Sequence, residues 1–417
     1  MDLTLSKKMA SFTENLSPKS DTFQAKAFDH LMTLDFPTTR DEYWKYTRLG
    51  KISNATFTTE FETLPTPAIA DYIVASHYLV IENGTFRDDL SQYEGTAFNI
   101  SFKTGELCEP ISSFNKNLKT EDVFNTINNS QFNSVVHIKV NKNQQIETPL
   151  QIIYIGQGEN TIANNRLLVE VGQSASAEMI ATYVNIDNNS QFDNSIAEFN
   201  IGENAQFTIH KIQAGNDKTL QVCTEDVTQA ANSTFKINTV TVSGLLQRNN
   251  INIAVEGQNC ETHMNGAIIS KGKQHIDNHT FVDHQVSNCF SNENYKYVLN
   301  DQSTGVFNGR VVVRQDAQVI NAYQNNGNIL LSDEASINSK PELEIYADDV
   351  KCSHGSTTGQ LDENALFYLQ ARGISKENAK KLLVAAFVGE VIEAIENEKV
   401  VGLIHTLLEK EHGWNAE

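Results

Sequence analysis

Short runs of alternating apolar and polar residues dominate the middle of the chain. Val135-Val136-His137-Ile138-Lys139-Val140 and Gln151-Ile152-Ile153-Tyr154-Ile155 are set apart by Gly and Asn, the texture of many short strands. This texture begins near residue 71 and ends near residue 355. Before it, Phe23, Ala27, Leu31 and Leu34 are spaced as the apolar stripe of a helix, which Pro37 interrupts. After it, Leu361–Leu369 predicts a helix that Gly373 closes as a C-cap. Ser375 is placed to N-cap a second helix, in which Ala379, Leu382, Leu383, Ala386, Phe387, Val391, Ala394 and Ile395 follow the i, i+3, i+4 rule. A third helix is expected around Val400–Leu408. The pattern divides the chain into a helical region over 1–70, a β core over 71–355 and a helical domain over 356–417.

Within the β core a repeat is visible, in which a small residue follows a turn-like tripeptide and leads into a strand. Its anchors are Ala175, Ala205, Ser233, Cys260, Cys289 and Ala317, at spacings of 30, 28, 27, 29 and 28 residues, the last two fitting less well. A period near 28 without an interposed helix excludes ankyrin and tetratricopeptide arrays and suits the coils of a β-helix. About forty asparagines accompany it. Stacked coils accommodate them, since Asn enters left-handed turns and its amides form ladders between coils. A β-sandwich would leave the period unexplained. The predicted fold is mainly β: a right-handed parallel β-helix flanked by small N-terminal and C-terminal α-helical domains. The C-terminal helices are expected either to cap the open end of the β-helix or to dock a partner.

A net charge of −20 repels phosphate backbones, so nucleic acid is not an expected partner. The first twenty residues lack the apolar stretch of a secretory signal, and no run approaches the ~18 apolar residues of a membrane span. The expectation is a cytoplasmic protein that meets no membrane. Cys108, Cys223, Cys260, Cys289 and Cys352 are odd in number and contain no C-x-x-C pair, so reduced thiols are expected.

Chemistry is sparse. Val350-Lys351-Cys352-Ser353-His354-Gly355 stands where the strands run out, and residues two apart on an extended chain share a face. A thiolate beside an imidazole suits iron, zinc or copper, but two ligands leave a site incomplete, so the missing donors would come from a partner. On spacing alone the plainer reading is preferred: Cys352 a small buried residue, His354 a turn residue. His275, His279 and His284, interleaved with Asp277 and Asp283, read as exposed structural histidines, because strand geometry puts His284 on the opposite face from the other two. No phosphate-binding loop, zincin motif or nucleophile elbow is present. Asp348 and Asp349, the acids a β-helix carbohydrate enzyme would use, face opposite ways on a strand.

The stretch Lys351-Cys352-Ser353-His354-Gly355-Ser356-Thr357-Thr358-Gly359-Gln360-Leu361-Asp362 resembles the signature of the SufD family. The resemblance continues through Phe367–Ile374 and Ala386–Val391, and Pro37–Tyr46 is similar to the family's amino-terminal motif, so it covers nearly the whole chain. It implies a non-catalytic scaffold of the SUF iron–sulfur assembly system that pairs through its β-helix with a SufB-like protein and carries a SufC-like ATPase on its C-terminal helices. By the same resemblance Cys352 and His354 help bind iron or a nascent cluster transiently at that interface, a SufB cysteine completing the site. No cofactor is then held tightly by the chain alone, while a flavin in the assembled complex and a homodimer of the free chain stay open. The ATPase dock would use Leu366, Phe367, Leu369, Leu382, Leu383, Phe387 and Val391. A SufB-type paralogue is the nearest alternative; the short chain and the Cys-Ser-His-Gly form favour SufD.

Overall fold

A computed structural model describes residues 6–19, 22–61, 69–104, 111–119 and 121–414. Cys108 lies outside them. Among the described residues nineteen strands form two sheets of ten and nine. At the entry end β1 (His77–Glu82) pairs parallel with the first strand of its sheet that follows, while β2 (Thr85–Phe86) and β3 (Asn99–Lys103) add antiparallel edges. From β4 (Val135–Val140) onward every pairing is parallel and each strand bonds to the one two places on, so strands alternate between the sheets. Two strands per coil make eight coils from β4 to β19 (Val350–Gly359). This is the predicted parallel β-helix.

The register explains the repeat. Glu261 of β13 (Glu261–Ser270) stands opposite Thr234 of β11 (Thr234–Ser243) and Phe290 of β15 (Phe290–Leu299). Each anchor therefore stacks on the next at one corner, where Ala175, Ala205, Ser233, Cys260 and Cys289 are buried. The residue before each is left-handed: Ser174, Asn204, Asn232, Asn259 and Asn288 all have φ near +60°. The amide of Asn232 donates to Asn204 at 3.1 Å and that of Asn259 to Asn232 at 3.0 Å, the expected ladder. The sixth anchor is misplaced. Phe290 pairs with Asn321 of β17 (Ile320–Leu330), so the residue equivalent to Cys289 is Ile320, and Ala317 belongs to a longer corner.

That longer corner puts Val319, at φ +60° and 48% exposed, where the four preceding coils use Asn. A β-branched residue is strained there by about 1–2 kcal/mol. Val319→Asn is therefore expected to raise the unfolding free energy by about 1 kcal/mol, read as a higher denaturant midpoint at unchanged slope.

Both helical ends lie along the flanks of the β-helix. At the N-terminus, α1 (Lys7–Thr13), α2 (Thr22–Leu31) and α3 (Gly50–Ser53) are joined by α4 (Val123–Gln131), a helix inside the region that reads as all β. Leu34 falls beyond the end of α2. Phe12, Leu31, Trp44, Phe57 and Phe124 pack on Ile162, Phe192, Leu220, Val222 and Leu246, the outer face of the nine-stranded sheet. At the C-terminus come α5 (Glu363–Ala371), α6 (Lys376–Ile392) and α7 (Glu398–His412). Ser375 caps α6 as expected, accepting from the Asn378 N–H, and Gly373 follows α5 at φ +89°. Val384, Val388, Val391, Ile404 and Leu407 bury themselves against Ile212, Val240, Ile269 and Val298, the outer face of the ten-stranded sheet.

The C-terminal helices thus do not cap the coil stack, and β18 (Ser336–Ile345) and β19 end their sheets unpaired. Pro341 sits in β18 without cost. The Ser336 and Tyr346 N–H groups donate to Ser303 and Val313, so even-numbered residues face the neighbouring strand and the missing N–H of Pro341 falls on the free edge. Among the described residues no helix is long and apolar enough to cross a membrane.

Candidate functional site

Cys352 and His354 lie in β19, opposite Ala322 and Gln324 of β17. Both occupy positions that point toward the lumen, because Ala322 and Gln324 are buried inside it. With no coil beyond, the two side chains stand at the mouth. Cys352 is half-buried against the main apolar core, and that burial pushes its thiol up, with only the Ala322 N–H opposing. His354 is exposed. Among the described residues no group of three or more His, Cys, Asp or Glu gathers as a metal site.

The lumen beneath the mouth is polar. The Gln324 amide donates to Glu293 at 3.4 Å, and the Thr280 hydroxyl donates to the same carboxyl at 2.7 Å. Gly309 makes room, since a Cβ there would meet Gln324 Nε2 at 2.8 Å and Glu293 Oε2 at 2.9 Å. Across the opening the Ser339 and Ser356 hydroxyls lie 2.7 Å apart, and each is within hydrogen-bond reach of Asn326 Oδ1. Sequence patterning missed Glu293, Gln324, Asn326, Ser339 and Ser356. Their only signal is polarity at positions that count as inward once the register is known.

Burial pushes the Glu293 carboxyl up to about 7, against the opposing hydrogen bonds from Thr280 and Gln324. Its folded pKa exceeds the unfolded value near 4.3, so the folded state binds more protons and stability falls as pH rises from about 4.3 to 7. Glu293→Gln keeps an acceptor for Gln324 and gives Thr280 a donor. It is expected to stabilise the chain by up to about 3 kcal/mol at pH 8 and by little at pH 4, checked by denaturant unfolding across that range.

The histidine-rich strand, β14 (His275–His284), is not the exposed surface expected of it. His275 and His279 share a face as the spacing required, but that face lies under the N-terminal segment: His275 bonds Thr47 at 2.8 Å and His279 lies 3.0 Å from Asp277. His284 is buried in the lumen, 2.9 Å from Ser291. Asp277 also pairs with Arg248 at 2.6 Å, and Arg248 lies 4.1 Å above the Trp44 ring. Trp44 belongs to the Pro37–Tyr46 motif, whose Glu42 and Tyr43 reach Lys340 of β18 and Arg310, both at 2.7 Å. That motif straps the N-terminal segment across the sheet to the last coil. Asp348 and Asp349 are exposed just before β19.

The proposed dock divides into two parts. Phe367 is 72% exposed, Tyr368 55% and Leu382 42%, while no residue of α5 is buried. Leu366, Leu369 and Leu383 are half-buried. Val391 is 1% exposed in the helix–sheet seam, and Phe387 covers Gly327 beneath the Lys296 ammonium, so these two hold the helix to its own β-helix.

A family model described as SUF system FeS cluster assembly, SufBD core domain, matches residues 154–387. The chain belongs to the SufBD family. The match takes in Cys352 and His354 and ends within α6. The iron-sulfur cluster assembly protein SufD of Escherichia coli is 29% identical over 376 residues, covering 88% of this chain and 87% of that protein. The SufBD family protein slr0076 of Synechocystis is 29% identical over 389 residues, covering 88% and 86%. Protein ABCI7, chloroplastic, of Arabidopsis thaliana is 30% identical over 311 residues, covering 71% and 64%. A cysteine and a histidine of a SufBD-family chain therefore stand on the last strand of an open coil stack.

Proposed function

We propose that this chain is the SufD-type scaffold subunit of a cytoplasmic SUF complex, with no turnover of its own. The position of Cys352 and His354 carries the reading: two donors at the mouth of an uncapped β-helix, beside strand edges whose backbone groups lack partners. A second β-helix, that of a SufB-like protein, would satisfy those edges and bring further donors to the same place. Iron or a nascent cluster is then cargo, held only while both chains contribute ligands. In isolation, a second copy of this chain would take the same edge.

The exposed apolar residues of α5 and α6 support the other half of the reading. Phe367, Tyr368 and Leu382 form an unpartnered surface of the kind a SufC-like ATPase would cover, while Val391 and Phe387 transmit its motion to the ten-stranded sheet. Co-expression with the organism's SufB-like and SufC-like proteins, followed by purification through a tag on this chain, is expected to retain both. Phe367→Asp combined with Leu382→Asp is expected to reduce ATPase recovery at least about tenfold and leave the SufB-like protein bound. Retention of the ATPase by that variant would place the dock elsewhere.

A further inference from the structure

We propose that Cys260 and Cys289 are a peroxide-oxidisable pair that closes to a disulfide and staples two successive coils. The pairing of Glu261 with Phe290 puts the two cysteines side by side at one corner. Their sulfurs converge on one acceptor: Cys260 Sγ lies 3.0 Å and Cys289 Sγ 3.4 Å from the Gly257 carbonyl oxygen. The next place in the row is Ile320, and on the other side Ser233 Oγ lies 3.6 Å from Cys260 Sγ, so among the described residues each thiol has the other as its partner in that row. Hydrogen bonding by Cys289 favours the Cys260 thiolate, which makes Cys260 the attacking sulfur.

The chemistry closes without any further reagent than peroxide. Cys260 Sγ attacks hydrogen peroxide; an S–O bond forms, the O–O bond breaks, and hydroxide leaves as water with the thiol proton. The Cys289 sulfur then attacks the sulfenic acid, forming S–S and releasing a second water. Two thiols are oxidised and one peroxide reduced to two waters. Both cysteines are buried, so the site suits an oxidant the size of water and excludes protein thiols. The bond would close a loop of 28 intervening residues between β13 and β15, two of the strands beneath the C-terminal helices.

The test treats the reduced full chain with hydrogen peroxide, counts thiols after denaturation and maps linked peptides by mass spectrometry. The count is expected to fall from five to three, with Cys260 linked to Cys289 and a thermal midpoint that rises by roughly 2–5 °C and returns with dithiothreitol. Cys289→Ser is expected to leave a Cys260 sulfenic acid that dimedone traps once the peroxide-treated chain is denatured in its presence. Five surviving thiols, a linkage between any other pair, or a linked chain that melts no higher overturns the proposal. Mapping the wild-type chain needs no variant to fold.

Discussion

Replacing Cys352 with Ser in the assembled complex is expected to lower the iron that the anaerobically purified complex retains by at least about tenfold, the scale on which metal affinity responds even to outer-sphere changes. His354→Ala should do the same. Neither should unfold the chain, because His354 is exposed and Cys352 is a half-buried residue on a terminal strand. Each is expected to shift unfolding free energy by less than about 1 kcal/mol. The two readouts separate the roles. If Cys352 were only packing, its loss would cost stability and leave iron untouched. Iron per complex, measured alongside a denaturation curve of the free chain, decides between them.

The second large effect lies away from the site. Asp277→Ala is expected to destabilise the chain by about 3–5 kcal/mol at pH 7, because it leaves the Arg248 guanidinium buried without its carboxylate. It also removes the anchor that holds Thr47 and His279 at the strap. Burial alone would push the Asp277 carboxyl up, but Arg248, His279 and His275 more than offset it and hold it well below the ordinary range. A depressed folded pKa contributes stability that is complete above the unfolded value near 3.9 and is lost as pH falls below it. The difference between wild type and variant should therefore be full at neutral pH and narrow below about pH 4. Denaturant midpoints from pH 3 to pH 7 check both the size and the direction.

The β-helix was legible because its corners leave a local mark. A small buried residue after a left-handed Asn recurs in four successive coils, so Ala205, Ser233, Cys260 and Cys289 can be aligned without knowing any contact. Ala317 could not, because one corner lengthens and Val319 replaces the diagnostic Asn. Helix α4 was equally hidden. Asn125, Asn128, Asn129 and Ser130 are poor helix formers, and Asp122 accepting from Phe124 and Asn125 N–H groups sets the start that propensity does not. The three C-terminal helices were read in number and order with ends a few residues off, yet their direction was not. Val391 lies about 180° around the helix from Leu382, and the buried face runs through Val384, Val388 and Val391, the first two of which the expected stripe omits. The histidines failed for a related reason: strand alternation gave the shared face of His275 and His279, but not that a segment 230 residues away in sequence covers it. For Cys352 and His354, spacing gave the shared face, the motif gave the family, and the fold added the free edge.

The free edge of β19 is where a partner chain is expected. A photo-reactive amino acid placed at Lys351 or Ser353, the outward positions flanking Cys352 on β19, tests it in the purified complex. The expected result is a covalent adduct to the SufB-like protein from either position and none from a control at Lys142, in the first coils of the stack. Adducts from Lys142 with none from β19 would contradict the account.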